Sequence, residues 1–302
     1  MGVRPLAIAL FLAAVLAFGC DNEFSPKTTF EPRIAVFAVL NAEADMQVVR
    51  LAWSYDGTIS TPPVPLTQRE IDSAVVRIRE GGTMFTLRDT VLTLDDGRKE
   101  HSWISRELRP KAEMVYTLSI SIPGQEPITA ELTSPSRPYC SAERVDADTG
   151  LGWVRVHTGL VAPRVPAGGF HFRAWLATTH RINGVAVTRR VEVPLRKDPT
   201  SGSWVYPIPQ KASYLVFDSN VLKVIADSLK AFGDSVITER VYARCYVMDQ
   251  KFYNYYKIVR GFDDPVSMRL DDPDISYING GLGVFGTLLA DSSNYPLSRF
   301  LR

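Results

Sequence analysis

The 302-residue chain is short of several things that enzymes and nucleic-acid binders display openly. There is no G-x-S-x-G to seat a hydrolase nucleophile on a strand-to-helix turn, and no H-E-x-x-H to hold a zinc ion. The four histidines, His101, His157, His171 and His180, are too scattered for a local metal motif. Lys/Arg blocks are missing and the formal charge is only +1, which excludes nucleic acid as a partner because phosphate binding needs a concentrated basic face. The glycine-rich run at 278–286 has no following Lys-Ser/Thr and no strand-to-helix context, so it is not a phosphate loop. The sequence thus predicts no enzyme, no catalytic residue, no metal and no cofactor.

Long apolar runs are also scarce, and the longest stands at the start. Arg4 gives a positive first segment, Leu6 to Phe18 an apolar one, and the run stops at Gly19-Cys20. A spanning helix needs about 20 apolar residues, so residues 1–19 read as a secretory signal rather than a membrane span. Cysteine directly after a small residue at such a cut resembles a lipobox, which makes Cys20 the site of lipid attachment. Ordinary secretion is the alternative. Acyl chains contribute about 0.8 kcal/mol per buried CH₂, so two or three of them hold a protein at a bilayer. Residues 20–32, with Ser25-Pro26 and Glu31-Pro32, lack periodicity and read as a tether.

With Cys20 assigned to the anchor, Cys140 and Cys245 remain, an even pair in an oxidising compartment. They are open to one disulfide, or to two separate buried thiols. Val241, Ala243, Cys245 and Val247 share one face of a strand, which turns Cys245 toward a core.

Beyond the tether, short β-branched and aromatic runs alternate with Gly, Pro, Asp and Asn. Runs at 34–40, 47–55, 74–80, 83–89, 114–122 and 127–133 read as strands, with Gly81-Gly82 as a hairpin turn. MVYTLSISI alternates most clearly, Tyr116, Leu118, Ile120 and Ile122 against Val115, Thr117, Ser119 and Ser121. Six or seven short strands predict an immunoglobulin- or fibronectin-like β-sandwich over 33–135. The prolines of TSPSRP (133–138) mark its end. Residues 136–302 read as a second β-rich domain with one short helix in DSNVLKVIADSLKAFGDS, capped by Asp218 or Ser219 and apolar at Leu222, Ile225, Leu229 and Phe232.

The remaining candidates each have a plain structural reading. DADTG (146–150) begins like a calcium loop but lacks the distal bidentate Glu, so it reads as a polar turn. FDDPVSMRLDDPD (262–274) gathers Asp263, Asp264, Asp271, Asp272 and Asp274 and reads as two Asp-Asp-Pro turns. His157 and His171 lie on separate candidate strands that would bring them together if adjacent. Phe252, Tyr253, Tyr255 and Tyr256 form an aromatic cluster, read as strand packing or as an anchor for a partner. The glycines of 278–286 suit a tight turn or bulge where backbones approach closely.

Taken in order, Cys20, Ser73-Ala74-Val75-Val76, Tyr116-Thr117-Leu118, Ala130 to Pro135, Phe252 to Tyr256 and Gly280-Gly281-Leu282-Gly283-Val284-Phe285-Gly286 resemble the family called domain of unknown function 4249. Members look like two-part β proteins that sit as lipoproteins in the outer membrane of Gram-negative bacteria. Many are encoded near TonB-dependent transporters, and none has assigned catalytic residues. The resemblance implies a non-enzymatic, lipid-anchored protein with a binding or accessory role beside such a transporter. Tyr253, Tyr255, Asn279 and Phe285 are the residues expected to contribute to docking. A structural or adhesive surface protein and, further off, a hydrolase with an unmatched site are the rivals.

Overall fold

In a computed structural model of the chain, the described residues are 33–54, 71, 73–93, 97, 99–146, 152–230, 235–261 and 276–300. Residues 1–32, with Cys20 and the stretches read as a signal and a tether, lie outside them, as do residues 147–150 of the DADTG stretch and all of 262–274. Among the described residues no helix is long and apolar enough to cross a membrane.

The protein is mainly β. Its first half gives β1 (Ile34–Asn41), β2 (Gln47–Trp53), β3 (Val75–Glu80), β4 (Thr83–Thr86), β5 (Arg88–Thr93), β6 (Lys99–Ser105), β7 (Val115–Ser121) and β8 (Ile128–Thr133). The second half gives β9 (Pro138–Asp146), β10 (Gly152–Leu160), β11 (Gly169–Ile182), β12 (Val185–Glu192), β13 (Arg196–Lys197), β14 (Trp204–Val205) and β15 (Tyr214–Asp218). Helix α1 (Ser219–Lys230), β16 (Ser235–Met248), helix α2 (Gln250–Gly261) and β17 (Leu282–Pro296) follow.

One eight-stranded sheet, in the order β12-β11-β16-β17-β1-β2-β6-β5, runs through both halves. Two hydrophobic cores lie against it. The first lies against the four-stranded sheet β4-β3-β7-β8 and holds Val36, Trp103, Tyr116, Leu118, Ile120 and Phe285. The alternation read in MVYTLSISI is the reason: Tyr116, Leu118 and Ile120 are buried while Val115 and Ser121 are exposed. Tyr116 also builds a tyrosine corner of the kind sandwich folds use. Its hydroxyl accepts from the Lys111 backbone N–H at 2.7 Å and donates to buried Glu80 at 2.9 Å. Burial, chiefly, holds its phenol well above the usual range.

The second core packs α1 and the sheet β15-β10-β9 on the inner side of β11 and β16, with Phe172, Leu176, Phe217, Leu222, Leu229 and Val241. Asp218 caps α1, its Oδ1 accepting from Asn220 N–H at 2.8 Å. The connector between β8 and β9 is buried and tied down rather than loose. Ser134 Oγ donates to Lys111 O, and Ser136 Oγ accepts from Arg164 and Val165 N–H.

Two elements differ from the sequence reading. The aromatic cluster at 252–256 is not a strand but part of a second helix, α2, where one had been expected. Buried Asp249 sets it, with Oδ1 accepting from Lys251 N–H at 2.9 Å and Phe252 N–H at 3.1 Å, so the orphan donors of the first turn are satisfied. The glycine-rich stretch is a turn only at its start, where Gly280 has φ +76°. From Leu282 it is a central strand, pairing in parallel with β1 (Ala35 with Leu282 through Asn41 with Leu288) and antiparallel with β16.

Candidate functional site

Alternation along β11 and β16 gives the long sheet two unlike sides. Phe172, Ala174 and Leu176 of β11 and Val241, Ala243 and Cys245 of β16 enter the second core. Their neighbours His171, Arg173, Trp175 and Arg240, Tyr242, Arg244, Tyr246 therefore face outward. The register sets them in rows: Glu192, Trp175, Tyr242 and Asn294 in one, Arg190, Ala177 and Arg240 beside it, Arg173, Arg244 and Ser292 on the other side.

The side chains interlock. Glu192 holds the Arg173 guanidinium in a two-pronged pair, Nε to Oε1 at 2.7 Å and Nη2 to Oε2 at 2.5 Å, which keeps Arg173 more firmly protonated. Arg173 lies over the Trp175 ring at 4.8 Å and Arg244 approaches it at 5.8 Å. Glu43, from the turn after β1, pairs with Arg244 at 3.3 Å. Arg190 reaches across β11 to lie 4.5 Å over Tyr242, and Arg240 donates from Nε to Asn294 Oδ1 at 3.0 Å. His171 stacks on Tyr246 at 5.7 Å. Burial, with Arg173 close by, pushes its imidazole down to about 4, so it is neutral at physiological pH. The sequence reading took FHFRAWLATT and VITERVYARCYVM only as strands. The alternate arginines and aromatics that signal this face were present in both.

The residues expected to dock a partner surround α2 and separate into two kinds. Tyr253 is 5% exposed and Phe285 is 0%, so neither is available to a partner. The Tyr253 ring covers Gly169, where an added Cβ would stand 2.0 Å from Cδ2, and Phe285 fills the first core. Tyr255 and Asn279 do reach the surface. Asn279 is fixed by backbone bonds in both directions with Thr129. Tyr255 lies 6.4 Å from the ring of Phe37, which is 43% exposed although β1 is an interior strand of the sheet.

Cys140 of β9 and Cys245 of β16 are joined by a disulfide, with Cα atoms 5.4 Å apart. It links the two sheets across the second core. His157 and His171 stand on β10 and β11, which belong to different sheets and are not neighbours. His157 meets the edge of Tyr139, His180 is buried with Nε2 bonded to Thr178 Oγ1 at 2.9 Å, and His101 pairs with Asp89. Among the described residues no three His, Cys, Asp or Glu side chains are grouped to hold a metal ion. No family model matches the chain, and no curated protein matches it either.

Proposed function

We propose that the protein is a non-enzymatic envelope lipoprotein of the domain-of-unknown-function-4249 kind, anchored in the outer membrane through Cys20. On this reading it has a binding or accessory role beside a TonB-dependent transporter. The observation that carries it is the Phe37–Tyr255 pair. A phenylalanine 43% exposed on an interior strand, with a tyrosine ring 6.4 Å away, is a rigid aromatic anchor of the type that partner proteins cover. Both residues stand on regular elements, so little conformational freedom is lost when a partner seats on them.

Co-purification from detergent-solubilised outer membranes tests the proposal. The parent brings down one envelope protein in stoichiometric amount, and Phe37→Ala with Tyr255→Ala, shown to be folded by its thermal transition, loses at least nine-tenths of it. Retention of the partner by the folded double variant removes this surface from the account. An empty pull-down from the parent leaves the structural or adhesive reading in its place.

A further inference from the structure

Among the described residues, the outward face of β11, β12 and β16 carries more positive charge than its own carboxylates balance. Arg173, Arg190, Arg240 and Arg244 stand on it in the rows described above, with Arg181 farther along β11. Glu192 neutralises Arg173 and Glu43 neutralises Arg244, whereas Arg190 rests on a tyrosine ring and Arg240 on an amide oxygen. The register places Arg190 and Arg240 on either side of Ala177. Neighbouring strands are about 4.8 Å apart, so the two arginines spring from points about 10 Å apart, while the Arg190 side chain crosses β11, where Ala177 is buried, and carries its guanidinium over to Tyr242 on the strand of Arg240. Each guanidinium is oriented by the neutral group it leans on and keeps donors for an anion.

From this juxtaposition we propose that the Arg190–Ala177–Arg240 row binds the carboxylate groups of an acidic polysaccharide. Guanidinium forks match a carboxylate in two-pronged geometry, so charge and shape both point to that group. A polysaccharide is favoured over an acidic peptide by where the face lies. β11 and β16 are paired on both edges, so their backbone donors and acceptors are consumed within the sheet. A peptide strand laid across this face would gain none of the main-chain bonds by which sheets capture peptides. A polymer that presents carboxylates and hydroxyls needs only side chains.

This inference stands apart from the transporter reading, since it uses other strands of the sheet than β1, and its test involves no membrane protein. The full chain in detergent micelles is titrated with polygalacturonate, with neutral dextran and with polyglutamate. The expected result is binding of polygalacturonate that weakens at least tenfold in folded Arg190→Gln/Arg240→Gln. It falls as salt rises from 50 to 300 mM, and neither dextran nor polyglutamate binds comparably. Affinity for polygalacturonate that is absent, or unchanged in the double variant, overturns the site. Polyglutamate bound as tightly as polygalacturonate overturns the choice of a saccharide.

Discussion

Single glycines set how closely β1 and β17 approach each other. Gly283 has φ +104°, and a Cβ there would stand 2.1 Å from the Val36 carbonyl oxygen. Both the dihedral and the space exclude a side chain, and the neighbour is backbone that cannot step aside. Gly283→Ala should cost at least about 3 kcal/mol, read from the urea unfolding midpoint. Gly82, with open space around its Cβ position and an ordinary φ, serves as the control and should change stability by less than about 1 kcal/mol when made alanine. Equal midpoints for the two variants would show that the β1–β17 contact is looser than described. That glycines in this run permit close approach was legible in the sequence. Which backbone approaches was not, because Val36 lies some 250 positions earlier.

Helix α2 shows where local reading gives out at the level of an element. Four aromatics in five residues favour a strand by composition. The helix prevails because of contacts spread along the chain. Asp249 caps it, and the same carboxylate accepts the Thr287 backbone N–H from β17 at 2.5 Å, so one buried group starts the helix and fastens it to the sheet. Burial, opposed by those hydrogen bonds, holds the Asp249 carboxyl above the usual range. Gly169 and Gly286 give Tyr253 and Phe252 their seats, since a Cβ at either would strike a ring or its first carbon within 2.5 Å. The helix α1 could be read from its own cap and apolar spacing. No such local pattern reveals landing sites on β11 and β17. Asp249→Ala removes the cap and leaves a buried Thr287 donor unpaired, so a loss of about 2–4 kcal/mol in denaturant unfolding is expected. A change below about 0.5 kcal/mol would mean that α2 is held by its aromatics alone.

The whole molecule is organised by a strand that arrives last. β17 enters between β16 and β1, parallel to β1, and contributes Phe285 to the first core and Tyr295 to the edge of the second. The sandwich was legible because its strands alternate and follow one another closely, and the long parallel pairing was not, because nothing near residue 282 announces β1. The Cys140–Cys245 bond closes a loop with a sequence separation of 105. Closing a loop of that size is worth about 4–5 kcal/mol in the chain-entropy model, provided that the chain folds where thiols oxidise. On the proposed reading, location underlies both the stability and the function, and Cys20 decides it. Metabolic labelling with an alkyne fatty acid measures that directly. Anchoring at Cys20 predicts a labelled parent and an unlabelled Cys20→Ala, whose signal peptide stays uncleaved by the lipoprotein peptidase. Equal labelling of parent and variant, or none in either, would contradict the lipoprotein reading.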